Sequence, residues 1–360
     1  MLAHSHTDQY SNSMTQQYLS EILEQPSIIE NLVADFESDE ISALARDLLD
    51  GRFRRIVLTG MGTSLYSTMP LQMILTHATI TPVERWEAAH LLHYGAHLIG
   101  PDTLLIAVSQ SGESAEIVNL LDAGIQPAHL ISVTNGPDNT LAKAAQLLLL
   151  TRAGEEATVS TKTYTATLAL LHLLGQQLVG KDVNAAKESL LRVTADMRAM
   201  LSNSAAMIDQ LGNFLGQRDT LAFIGRGYTM ATVYTAELIT QEASKVFAKG
   251  YTGGEFRHGP LELVRDGFCA VIFLGADHTR GLNEKLAAQI AELGAQVVLI
   301  GPEPPEIPGK VLNIPIPTHD PSRLSILSIL PAQLMTIPLA RANGFEPAVF
   351  TNASKVTRSE

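Results

Sequence analysis

The feature that most constrains this chain is an internal repeat. Residues 54–64 read RRIVLTGMGTS and residues 219–229 read DTLAFIGRGYT, so Gly60 and Gly62 recur as Gly225 and Gly227 at an offset of 165 residues. At the same offset Ile106–Val108 falls on Val271–Phe273, and His129–Val133 answers to Gln296–Ile300 with a drift of two residues. Similarity at a fixed offset implies that one folding plan is used twice.

The plan itself is read from the apolar runs. Arg55–Thr59, Thr103–Val108, His129–Val133 and Leu147–Thr151 are short and almost wholly apolar, as strands are when both faces of a sheet are covered. Helical spacing runs through Glu113–Ala123 and Thr161–Leu178. Strands alternating with helices predict an α/β fold with parallel sheets. The expected layout is an N-terminal arm (1–27), a first α/β domain (28–180), a connector (181–204) whose residues Asn184–Met200 form a helix, a second α/β domain (205–342) and a tail (343–360). Hydrophobic residues make up 46% of the chain and charged residues 17%, enough apolar material for two cores and a subunit interface.

Charge and cysteine content narrow the function. Asp and Glu outnumber Lys and Arg by 37 to 25, a net charge of -12, whereas nucleic-acid binders present a basic face; no nucleic acid is expected as partner. The single cysteine, Cys269, excludes internal disulfides and multi-cysteine metal sites and fits a reducing compartment. No run of about 18 uninterrupted apolar residues predicts a membrane span, and the polar start lacks a signal-peptide core, so a cytoplasmic protein is expected. The first 16 residues read as a loose polar arm. Its His4-x-His6 pair is too little to predict a metal, and none is expected.

Each Gly-x-Gly follows a strand and opens a helix, where α/β proteins bind ligands at strand carboxyl ends. Neither copy extends to the dinucleotide fingerprint GxGxxG, and a tight turn without a ligand would look the same. Ser109-Gln110-Ser111-Gly112-Glu113-Ser114 follows a strand and precedes a helix. Hydroxyls, backbone N–H groups and the positive end of a helix dipole together make a phosphate cradle. Simple N-capping by Ser109 or Ser111 is the alternative reading. Ser160-Thr161-Lys162 starts another helix and carries the same two readings. Further on, Glu237, Glu242 and His258 flank a Gly253-Gly254 loop; a glutamate and a histidine beside a sugar phosphate suit proton transfer.

With these motifs in view, the chain resembles the SIS (sugar isomerase) domain family, and within it the isomerase half of the glutamine–fructose-6-phosphate amidotransferases. The likeness runs from about Tyr18 to the end. It rests on GMGTS (60–64), SQSGES (109–114), VSTKTYTATLALLHLL (159–174), IGRG (224–227), EASKVFAKGYTGGEFRHGPLEL (242–263) and SKVTRSE (354–360). The resemblance implies two flavodoxin-like, three-layer α/β/α domains. It implies phosphate binding by Ser109, Gln110, Ser111 and Ser114, and sugar contacts from Gly62, Thr63 and Ser64, with Ser160 near the substrate. It implies that Glu242 is the isomerase base, that His258 opens the sugar ring from a neighbouring subunit of a homodimer, and that Lys355 in the tail forms a Schiff base. One departure stands out: where the family reads LKLKE, residues 238–242 read LITQE, so Ile239 and Gln241 replace two lysines.

The family's synthases carry a glutaminase domain with a nucleophilic cysteine, and Cys269 sits instead in the apolar run Phe268–Leu274. This polypeptide alone is therefore not expected to hydrolyse glutamine. The expected activity is isomerisation and deamination between a hexosamine 6-phosphate and a ketose 6-phosphate plus ammonia, with no organic cofactor. The alternatives are an isomerase subunit served by a separate glutaminase, a fructosamine-6-phosphate deglycase, and a non-catalytic sugar-phosphate sensor.

Overall fold

The computed structural model describes residues 4–36, 39–317, 320–352 and 355; for residues 4–13 it describes the backbone alone. Contacts divide the chain into two compact units. The N-terminal unit comprises residues 27–156 and 162–194 together with Lys355, and the C-terminal unit comprises the helix up to Pro26, residues 157–161 and the chain from Ala195.

The N-terminal unit holds strands β1 (Arg55–Gly60), β2 (Val83–Glu87), β3 (Thr103–Val108), β4 (His129–Thr134) and β5 (Leu147–Leu150) in one sheet of order β2-β1-β3-β4-β5. The C-terminal unit holds β6 (Thr220–Gly225), β7 (Phe247–Thr252), β8 (Cys269–Phe273), β9 (Gln296–Gly301) and β10 (Lys310–Pro315) in the order β10-β9-β8-β6-β7. Counted from the first strand of each unit, both orders are 2-1-3-4-5, the flavodoxin-like arrangement. All the strand pairs are parallel. The repeat in the sequence is thus a repeat of topology, as the residue pattern requires.

The central strands are buried along their whole length in β3 and β8, and from their second residue in β1, β4, β6 and β9. Helices on both faces supply the cover, which is why these strands do not alternate polar and apolar residues. In the C-terminal unit, the helix Pro321–Ala342 is apolar around its circumference and mostly buried. It is the one described helix long and apolar enough to cross a membrane, and its burial marks it as a core helix. The predicted connector helix spans Val183–Leu201.

The N-terminus departs from the expectation of a loose arm: residues His4–Asp35 form one helix. The reason lies in its second half, where Tyr18, Ile22, Ile29, Leu32 and Val33 recur at helical spacing and are buried. In the C-terminal unit the Tyr18 hydroxyl donates to the Gln333 carbonyl (3.3 Å) and pairs with Thr336 Oγ1 (3.0 Å), while Gln25 Nε2 donates to Gln333 Oε1 (2.8 Å). The side chains of His4 and His6 lie outside the described residues.

Candidate active site

Two sequence motifs meet at the carboxyl edge of the N-terminal sheet. Strands β1 and β3 are neighbours in register Gly60↔Val108, so the turn after one and the loop after the other emerge side by side. This is the point where the strand order reverses, the usual ligand crevice of an open parallel sheet. A Cβ on Gly60 would lie 2.7 Å from the Val108 carbonyl oxygen, so only glycine permits this approach. Gly62 has φ +51 and ends the turn before the helix Thr63–Ala78, where L side chains are strained. Thr63 and Ser64 start that helix part-exposed.

The loop Ser109–Ser114 is held in shape by its own hydroxyls. Gly112 N–H donates to Ser109 Oγ (3.1 Å), Glu113 N–H to Ser111 Oγ (3.1 Å), and Ser109 and Ser114 hydroxyls pair at 3.4 Å. Ser114 is the N-cap residue of the helix Ala115–Asp122, and it makes no side-chain capping bond. Ser109 and Ser111 therefore shape the loop rather than cap the helix, which removes the capping alternative for these two residues. Gln110 contributes its carbonyl to Asn135 N–H (3.0 Å), and its side chain stays part-exposed.

A second layer fixes the loop. Gly112 adopts φ +64, and its missing side chain makes room for Asn139. Asn139 Oδ1 accepts from Ala142 N–H (2.8 Å) and caps the helix Thr140–Ala144, while its amide donates to the Gly136 carbonyl (2.6 Å). The Glu113 carboxylate accepts from Thr140 N–H (2.5 Å) and from the Thr140 hydroxyl (3.0 Å). The cradle is thus braced from outside.

Lys355 belongs to the same unit. Its ammonium pairs with Glu156 Oε2 at 2.8 Å, with the lysine 23% and the glutamate 1% exposed. Glu156 also accepts from Thr163 N–H (3.1 Å) and Thr163 Oγ1 (2.7 Å) at the start of the helix Lys162–Leu178. Of the tail motif 354–360, all but Lys355 lies outside the described residues.

The C-terminal unit carries Ser160, Glu242 and His258. Ser160 is part-exposed in a segment pinned by a fully buried carboxylate. Glu21 accepts from Ala157 N–H (2.7 Å), from Gln17 Nε2 (3.3 Å) and from the Thr158 hydroxyl. Glu242, part-exposed, lies in the last turn of the helix Met230–Ser244, and His258, exposed, follows the short helix Gly253–Arg257. That longer helix runs antiparallel to β7: Gln241 Nε2 donates to the Ala248 carbonyl (2.8 Å), and Gly250 N–H donates to Glu237 Oε2 (2.8 Å). Glu242 therefore sits at the start of β7 and His258 beyond its end, separated by a strand roughly 17 Å long. Glu237 is taken up by β7 and its Lys249 (3.5 Å).

The second Gly-x-Gly has a different use. Gly225 is packed against Thr229 and Val233, and Arg226 lays its guanidinium over Gly253, where a Cβ would meet it at 2.8 Å. Asn283 accepts from Arg226 Nε (3.0 Å). Burial and the nearby Arg257 charge lower the pKa of Arg226. After β8, where the first unit has its serine loop, Asp277 accepts from Thr279 N–H (2.8 Å) and Thr279 Oγ1 (2.6 Å). The loop after β8 thus carries an acid, Asp277, where the loop after β3 carries serines.

Sequence reasoning missed Glu156, Glu21, Asn139 and Asp277. Glu156 alone carried a signal, an acid placed just ahead of the Ser-Thr-Lys helix start. Cys269 is buried in β8 and its thiol is pushed up to about 11 by burial, so it is a core residue without thiolate chemistry.

Comparison with known proteins fits this architecture. The SIS domain family matches residues 52–176 and again 214–342. A glutamine–fructose-6-phosphate aminotransferase (isomerizing) of Pyrobaculum aerophilum is 31% identical over 354 residues, which is 95% of this chain and 57% of that protein. The Mycobacterium bovis protein of the same name is 28% identical, over 91% of this chain and 55% of its own length. The chain thus spans a little over half the length of these relatives. Among solved structures, the C-terminal domain of the glucosamine-fructose-6-phosphate aminotransferase of Francisella tularensis superposes with a TM-score of 0.80 at 21% identity, covering 92% of this chain and 97% of that one. A structure titled glucosamine-6-phosphate deaminase, from Thermotoga maritima, gives 0.71 at 20%, covering 94% and 99%. With two matched domains on two sheets of the same strand order, the chain belongs to the SIS domain family.

Proposed function

We propose that this protein converts a hexosamine 6-phosphate and water to a ketose 6-phosphate and ammonia, or runs that reaction in reverse. The observation that carries the reading is the serine loop beside the Gly60–Ser64 turn, whose hydroxyls shape a cradle at the sheet's switch point. In this reading Ser109, Gln110, Ser111 and Ser114 bind the 6-phosphate, and Gly62, Thr63, Ser64 and Ser160 face the sugar.

The chemistry divides among three residues. His258 moves the proton between the ring oxygen and the C1 hydroxyl, opening the ring to the aldehyde. Glu242 takes the proton from C2 and returns it to C1 through an enolamine, while O1 gains a proton and the amine nitrogen gives one up, leaving an imine at C2. The Lys355 amine adds to C2 and ammonia leaves; water then hydrolyses the lysyl imine and frees the ketose. An attacking amine must first surrender a proton, and Glu156 at 2.8 Å is an acceptor in reach. The exposure of His258 and its distance from Glu242 along β7 favour a homodimer in which each site takes its histidine from the other copy.

The decisive experiment incubates purified protein with glucosamine 6-phosphate and measures ammonia and fructose 6-phosphate. Equal release of both supports the reading; binding without release leaves the sensor. A second reading is favoured by the names of the 31% and 28% identical relatives: the chain is the isomerase partner of a separate glutaminase. Ammonia release only after such a subunit is added with glutamine, and none from glucosamine 6-phosphate, would select it.

A further inference from the structure

The C-terminal tail is fastened at its root to the helix that carries Glu242, and the fastening uses a lysine outside the proposed chemistry. After the helix Pro321–Ala342 the chain turns at Gly344 (φ +77) and reaches Ala348, a buried non-glycine residue at φ +60. Ala348 N–H donates to the Ala243 carbonyl (3.0 Å). The Lys245 ammonium donates to the Val349 carbonyl (2.7 Å) and also to the Glu242 carbonyl. Thr15 Oγ1 donates to the Glu346 carboxylate (3.2 Å) on the same stretch.

The carbonyls of a helix's last turn have no partners within the helix. Here two of them, on Glu242 and Ala243, are met by Lys245 and by the tail. Lys245 is the C-cap residue in the left-handed region (φ +59), which turns its side chain back along the helix end. Burial lowers its pKa while the Glu242 carboxylate opposes the shift. A desolvated ammonium holding two carbonyls is a strong, short-range clamp.

We infer that Lys245 is a positioning residue that pins the chain at Val349 against the last turn of the Glu242 helix and so holds Glu242 in place. The inference rests on the proposed reaction for its consequence. With the Val349 carbonyl and its own helix end held together, Glu242 keeps its place in the final turn. This acts on the rate of the bound complex and leaves phosphate recognition alone.

The test compares full-length wild type, Lys245→Met and Lys245→Arg by hydrogen exchange over residues 345–352 and by steady-state kinetics with glucosamine 6-phosphate. Loss of a charged donor should speed exchange at Ala348 and its neighbours roughly ten- to a hundredfold in Lys245→Met. Its kcat should fall about tenfold or more with KM changed less than about twofold, the signature of an effect confined to the bound complex. Arginine can span the same two carbonyls, so Lys245→Arg should restore protection and most of kcat. Unchanged exchange in Lys245→Met overturns the clamp. Faster exchange with unchanged kcat overturns its positioning role. Borohydride labelling of Lys245 in the presence of fructose 6-phosphate overturns it also, by making this lysine the reacting amine. If wild type shows no turnover, the proposed reaction fails, while the exchange comparison still decides the clamp.

Discussion

Glu242 and His258, the two residues assigned to proton transfer, stand at opposite ends of β7 within one unit. The strand between those ends has six residues and is roughly 17 Å long. On the proposed reading, each site takes its histidine from the other copy. Mixing inactive His258→Ala and Glu242→Gln proteins under conditions that exchange subunits should restore about a quarter of wild-type turnover, the statistical share of sites with both groups intact. Absence of recovery, with exchange verified by mass spectrometry, would place both groups in a single copy's site.

Gly112 is the residue through which the cradle depends on its braces. A Cβ there would lie 1.9 Å from Asn139 Oδ1, at a φ of +64. Gly112→Ala should displace Asn139 from its cap, at about 1 kcal/mol, and add about 1–2 kcal/mol of left-handed strain. Urea unfolding should report that sum, and the KM for a 6-phosphosugar should rise with it.

Ser111→Ala separates binding from folding. Among the described residues its hydroxyl holds Glu113 N–H, so stability should change little. A hydroxyl lost from a phosphate contact should cost about 1.5–3 kcal/mol, or roughly ten- to a hundredfold in KM for glucosamine 6-phosphate. Binding of unphosphorylated glucosamine should not change. Equal losses for both ligands would assign Ser111 to loop structure alone.

Lys355 and Glu156 make a pair whose two roles can be pulled apart. Lys355→Ala leaves a buried carboxylate with Thr163 but without its cation, so stability should fall by about 1–3 kcal/mol and turnover should be suppressed. Lys355→Arg should keep the pair and its stability yet remain inactive, because a guanidinium does not form the imine. Borohydride with fructose 6-phosphate should label wild type at Lys355 and neither variant. Full turnover in Lys355→Arg would falsify the imine step.

The fold was legible because its central strands are almost wholly apolar and the pattern occurs twice, whereas the edge strands β2 (VERWE) and β7 (FAKGYT) carry no such run. The local turns were legible where glycine was indispensable, as at Gly60 and Gly62. What stayed hidden depends on residues remote in sequence. Glu21 meets Ala157 across more than a hundred residues, and no local spacing marks an acid that will be buried there. Asn139 reads as an ordinary helix cap until Gly112 is packed on it. The N-terminal helix was missed because its first third is polar, and the buried stripe that orders it begins only near Tyr18. The tail root was missed because its order comes from Lys245 and Ala243 rather than from any periodicity of its own.

Asp277 gives the duplicated architecture an unequal stoichiometry. At the position matching the serine loop, the second unit carries its negative charge covalently, already bonded to Thr279. A dianion arriving there would meet a carboxylate instead of open hydroxyls. On the proposed reading only the serine loop takes a phosphate, so calorimetric titration with a sugar phosphate should saturate at one equivalent per chain.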